Sequence, residues 1–123
     1  MPTAKSDIIR LRHMLDATQK AIRFTTGKSR SDLVTDEQLS LALVRLVEIL
    51  GEAAAKVTID VQQKYSAIPW RQIIGTRNRL IHGYEDVNMD ILWQIITHDL
   101  PPLVKILQTA IESEEHTEQP NLF

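Results

Sequence analysis

The apolar residues between Thr35 and Val57 recur with a helical period, and this pattern constrains the fold more than any other feature of the chain. Leu39, Leu43, Leu46, Leu50, Ala53 and Val57 fall at spacings of three and four, which places them on one face of a helix. Leu41, Val44 and Val47 broaden that face, so the helix is expected to be buried on more than one side. Gly51 and the run Ala53–Ala55 are small enough to admit a close neighbour. Thr35 is placed to cap the helix, with Gln38 at the capping-box spacing. No segment alternates with period two for long enough to make a strand. The expectation is an all-α fold, an antiparallel bundle of four to five helices.

The other elements follow from local signals. Ser6 can cap a first helix, with Asp7 in its first turn and Ile8, Leu11, Leu15 and Ile22 as its apolar stripe. Gly27 ends it, and residues 28–34 read as a polar connection. Residues 58–68 lack a clear period. Pro69 opens a helix predicted to run from Trp70 to Tyr84. Asp86 or Asn88 then caps a last helix, in which Pro101 and Pro102 predict a kink or a restart capped by Asp99. Residues 1–111 are expected to form a single domain, and 112–123 an acidic, disordered tail. The stripes are broad for a chain of 123 residues, which suggests a homodimer.

Several function classes drop out on composition. The chain has no cysteine, which excludes disulfides and thiolate metal sites. His13, His82, His98 and His116 are scattered, so no metal site is expected. No glycine loop of a nucleotide-binding type occurs, and no cofactor is expected. No apolar run approaches the length that spans a bilayer. The charged N-terminal stretch does not resemble a signal peptide, and a cytoplasmic location is expected.

Charge is unevenly distributed. The chain holds 14 Lys and Arg against 16 Asp and Glu, yet no acid lies between Val61 and Tyr84, where Lys64, Arg71, Arg77 and Arg79 fall. A positive segment in a mildly acidic chain points to an anionic ligand. On a helix from 70 to 84, Trp70, Ile73, Ile74, Arg77, Ile81 and Tyr84 would share a face, which puts a guanidinium in the phase of the core. His82 follows five residues later, and Gly83 gives the chain an exit.

A metal-free cut of RNA by its own 2′-hydroxyl needs two things. One is a group that moves protons near neutral pH, as imidazole does. The other is a fixed cation for the crowded phosphorane, as guanidinium provides. Arg77 and His82 supply both, although an R-x4-H spacing also fits two surface cations at a helix end. Arg79 faces away from Arg77 on this helix, and it and Arg71 are candidates for RNA binding. Arg45, Glu48 and Glu52 share a stripe of the second helix. They can form a solvated salt-bridge face, or Glu52 can reach the Arg77 and His82 site and orient one of them. Tyr84 reads either as a half-buried core residue or as a phenol at the mouth of the site.

The run GTRNRLIHGY, with IPW before it and DVNMDILWQIITHDLPPL after it, resembles the HepT family of HEPN-domain proteins. FTTG near residue 24 and VEILGEAAAKV from Val47 are similar to further family blocks in the same order. Arg77, His82 and Tyr84 match the R-x4-H-x-Y motif, and Asn78 matches the Asn that commonly follows the motif Arg. The resemblance spans residues 7–111. It implies an all-helical toxin of a toxin–antitoxin pair of type VII kind, a metal-independent endoribonuclease with its Arg and His at a dimer cleft. The partner it implies is a minimal nucleotidyltransferase similar to MntA, which acts as antitoxin by transferring AMP to the motif tyrosine, here Tyr84. A reading of a different class also remains: a non-catalytic helical partner or regulatory subunit of such a nucleotidyltransferase.

Overall fold

The computed structural model describes residues 4–80 and 86–118, and no described residue lies in a β-strand. The all-α expectation therefore holds, and the architecture is consistent with a HEPN-like bundle. The long helices among the described residues are α1 (Ala4–Thr25), α3 (Glu37–Lys56) and α8 (Leu100–Glu118). Helix α1 packs along both α3 and α8. Short elements complete the bundle: α2 (Arg30–Thr35), α4 (Ile59–Lys64), α5 (Trp70–Ile74), α6 (Thr76–Leu80) and α7 (Met89–Gln94).

Helix α3 is the central element its pattern predicted. Leu39, Leu43, Val47, Leu50, Ala53, Ala54 and Val57 are buried, because α1 covers one side and α5 and α6 another. Leu41 does not broaden the buried face; it is 63 % exposed. The cap is Asp36, whose Oδ1 accepts from the Leu39 N–H at 3.1 Å, rather than Thr35. Thr35 instead closes α2, a helix in the segment expected to be a polar connection. The Asp32 carboxylate accepts from the Ser29 N–H at 2.7 Å, and fully buried Leu33 pins this turn to the core.

Helix α1 starts at Ala4, before Ser6. Its buried stripe is Ile8, Leu11, Met14, Ala17 and Ala21, with Leu15 and Ile22 only half-buried. The stripe is wide because two helices flank it. Asp7 does more than favour the helix dipole. Only 3 % exposed, it accepts from the Thr58 N–H at 2.9 Å and from Thr58 Oγ1 at 2.8 Å. It thereby ties the start of α1 to the start of α4, a helix in the stretch where no periodicity was legible. At the other end, Gly27 takes a φ of 77°, as its role as a stop requires.

The single helix expected from Trp70 to Tyr84 is broken. Helix α5 ends at Ile74, the Gly75 N–H bonds to the Arg71 carbonyl at 2.9 Å, and α6 starts at Thr76. A side chain at Gly75 would sit 3.1 Å from that carbonyl. The break settles which residues face the core: Trp70, Ile73, Thr76 and Leu80 are buried, while Ile74 is 40 % exposed. Arg77 is thus not in the core phase; its side chain is 70 % exposed. Ile81, His82, Gly83 and Tyr84 lie outside the described residues.

Asn88 caps α7, its Oδ1 accepting from the Ile91 N–H at 3.1 Å. From there the chain stays helical to Glu118. No restart capped by Asp99 occurs, but the hydrogen-bond ladder is irregular where the prolines predict it. A π turn, Ile95–Asp99, joins α7 to α8, and the Leu100 N–H reaches back to the Ile95 carbonyl. The wider turn shifts the hydrogen-bond register just where Pro101 and Pro102 remove two consecutive donors. Asp99 instead pairs with its neighbour, His98 Nδ1 lying 2.9 Å from its Oδ1. The boundary expected at residue 111 falls inside α8, which carries on through the acidic segment.

That last stretch of α8 is held by Glu114, which is 4 % exposed. Lys64 Nζ donates to its carboxylate at 2.8 Å and the Tyr65 hydroxyl at 2.5 Å. Burial alone would raise the Glu114 pKa, but these two donors and the lysine charge outweigh it and hold it below the ordinary value. The same carboxylate raises the Lys64 pKa. Burial, followed by the bond to Glu114, raises that of Tyr65.

Candidate active site

The candidate site lies where α6 crosses α3. What brings the two together is Gly51. A side chain there would come within 3.2 Å of the Ile73 carbonyl, so any residue larger than glycine would push α5 back from α3. The Gly75 turn then directs α6 so that Arg77 looks back across α3. A shallow cleft of about 190 Å³ results, walled by Val47, Gly51, Ala55 and Ile74, with Glu48, Glu52 and Arg77 at its edge.

Within the cleft Arg77 Nε lies 3.5 Å from Glu48 Oε2. This is the acid that sequence reasoning missed. Glu52, the acid expected to reach Arg77, stands one turn further along α3. It lines the same cleft but pairs with Arg45, at 3.7 Å. Both glutamates share a stripe with Arg45, so sequence phase alone cannot choose between them. The choice depends on how far α6 is shifted along α3, which the Gly51 contact sets. Because the closest approach is through Nε, the terminal fork of the guanidinium stays available to an anion.

The acid-free stretch does not form one patch. Lys64 is taken up by Glu114 and Arg77 by Glu48. Among the described residues, Arg71 and Arg79 have no ion-pair partner. Arg71 borders a groove between α4 and α5, whereas Arg79 borders a cavity on the far side of α6 from Arg77. Asn78 is exposed between them. His82 and Tyr84 lie outside the described residues. Among the described residues no His, Asp and Glu side chains converge as a metal-binding group, and no helix is long and apolar enough to cross a membrane.

Comparison with known proteins places this chain in a family. A family model described as ribonuclease HepT-like matches residues 14–110. A relative from Caldanaerobacter subterraneus, provisionally named an RNase, is 36 % identical over 105 residues, covering 85 % of this chain and 94 % of its own. One from Thermococcus cleftensis, named "Probable ribonuclease HepT", is 31 % identical over 93 residues, covering 76 % and 84 %. One from Methanocaldococcus jannaschii, also provisionally named an RNase, is 30 % identical over 92 residues, covering 75 % and 84 %. No solved structure matches the chain significantly. The chain belongs to the HepT-like ribonuclease family.

Proposed function

We propose that this protein is an endoribonuclease toxin that cuts RNA without a metal ion, through Arg77 and His82 at a homodimer cleft. The observation that carries the reading is the state of Arg77. It meets Glu48 only loosely, through Nε, and is 70 % exposed, which leaves its terminal fork open to grip a phosphate. Family membership and the names of the relatives support the same activity. In the reaction, a 2′-oxygen attacks the adjacent phosphorus and the bond to the 5′-oxygen breaks. The products are a 2′,3′-cyclic phosphate and a 5′-hydroxyl. His82 moves the proton, either from the attacking hydroxyl or to the leaving oxygen, while Arg77 steadies the charge on the phosphorane. Asn78 supports Arg77 at the motif, Glu52 lies beside it, and Arg71 and Arg79 hold the strand.

The dimer reading is supported by Leu41 and Ile74, 63 % and 40 % exposed, which flank the side of α3 that carries Glu48 and Glu52. A two-fold copy packed there would cover them and bring two motifs together. Control would come from a cognate nucleotidyltransferase similar to MntA. The Tyr84 oxygen would attack the α-phosphorus of ATP and pyrophosphate would leave, placing AMP on the tyrosine. The added phosphate would then compete for Arg77. A cytoplasmic location fits this pairing.

The test is cleavage of RNA by the purified protein in EDTA. Cyclic-phosphate ends are expected from the wild type, and none from Arg77→Ala or His82→Ala. Undiminished cutting by either variant contradicts the assignment. A folded wild-type protein that binds the nucleotidyltransferase but cuts no RNA supports the non-catalytic subunit instead.

A further inference from the structure

A second cavity, of about 350 Å³, opens on the opposite side of α6 from Arg77, a size within the range of ligand sites. Its floor is apolar: Leu50, Ile73, Ile95, Leu100 and Leu103 are each at most 6 % exposed. Its mouth is polar, ringed by Gln72, Arg79, His98 and Asp99. Three observations set it apart from a packing gap. Arg79 at its edge has no ion-pair partner among the described residues. The π turn forms one wall, and such turns are frequent at functional sites because the extra residue re-aims the side chains around it. Here those side chains are His98 and Asp99, both exposed and joined to each other. Finally, Arg77 and Arg79 are two residues apart on the same short helix, which is about 10–12 Å across with its side chains, so a strand gripped at one flank of α6 reaches the other within about two nucleotides.

We infer that this cavity takes one unstacked base of the RNA strand whose phosphate Arg77 holds, so that it selects where the strand is cut. The inference rests on the ribonuclease reading and adds the substrate feature recognised beside the cut. Single-stranded RNA is read through splayed bases that stack on guanidinium planes or aromatic rings and bond along their pairing edges. Arg79 offers the plane and the positive charge, the aliphatic floor takes the base, and Gln72 and Asp99 meet its edge. A carboxylate at that edge favours a base with adjacent N–H donors, which guanine has. An apolar peptide side chain would fit the floor, but it gives no reason for the uncommitted cation at the cavity's edge.

The experiment uses 2′-O-methyl pentanucleotides, which lack the attacking hydroxyl and report binding apart from cleavage. They are titrated into protein labelled at its Ile, Leu and Val methyl groups. With a central guanine, the Ile73, Ile95 and Leu103 methyls should shift together with Val47 and Ile74 of the Arg77 cleft. Affinity should exceed that of all-uridine by about tenfold, and Arg79→Ala or Asp99→Asn should cut this preference to about twofold or less. Shifts confined to Val47 and Ile74 would overturn the base pocket and leave the ribonuclease reading standing. Cavity methyls that respond to the partner nucleotidyltransferase but to no oligonucleotide would overturn it in favour of a protein contact. No response anywhere to any oligonucleotide would overturn both readings.

Discussion

Two cations of one acid-free stretch meet glutamates from other helices, and they are held very differently. Lys64 joins Tyr65 on the buried carboxylate of Glu114, at 2.8 and 2.5 Å. Arg77 touches Glu48 at 3.5 Å, with 70 % of its side chain in solvent. The first arrangement satisfies its members and fastens α4 to α8. The second is loose and solvent-screened, the kind of pair that adds little to stability and leaves its cation free to bind something else. A charge that folding needs and a charge that a ligand needs differ in how completely the protein itself uses them.

Removing the carboxylate of the clamp should have the largest effect on stability. Glu114→Ala strips the partner from Lys64 and Tyr65 at once, and should cost about 2 kcal/mol in urea unfolding. RNA cleavage per folded molecule should be unchanged. Gly51→Ala should follow at roughly 1–2 kcal/mol, because its new methyl meets the Ile73 carbonyl. Unlike Glu114→Ala, it should also lower cleavage, since α5 carries α6 and Arg77 with it. A Gly51→Ala protein of full activity would break the link between that contact and the site.

The clamp should also be readable in pH. Glu114 has a folded pKa below its ordinary 4.5, so its contribution is whole above about that pH and fades as pH falls through the folded value. Lys64 is raised above its ordinary 10.5, so its contribution is whole below that pH and fades as pH rises past the folded value. Unfolding of the wild type followed from neutral pH down to below pH 4.5, compared with Glu114→Gln, should show an acid-side loss that the variant lacks. The smallest effect belongs to the other pair. Glu48→Gln should change stability by less than about 0.5 kcal/mol, and should lower cleavage only a few-fold, because it loosens Arg77 without removing it. A large stability loss there would erase the contrast between the two regions.

Much of this arrangement was legible before the structure, and the gaps have physical causes. The α3 stripe, the stop at Gly27 and the Asn88 cap are local signals carried by a few neighbouring residues. Helix α2 and the end of α8 were not legible, because Leu33 and Glu114 are explained by partners far away in sequence. The break at Gly75 was hidden because the residues on both sides of it continue a plausible helical period. At the site, Arg77, His82 and Tyr84 stood out through the motif and its resemblance. Glu48 did not, because choosing it over Glu52 requires the offset between two helices that only the Gly51 contact defines.

The most direct measurement takes cleavage rate and unfolding midpoint from the same preparations of wild type, Arg77→Ala and Glu114→Ala. The account predicts that Arg77→Ala loses cleavage by about 100-fold or more at an unchanged midpoint, while Glu114→Ala keeps its rate and loses stability. Arg77→Ala that unfolds early, or that still cuts RNA, would contradict the claim that this arginine is held for the substrate rather than for the fold.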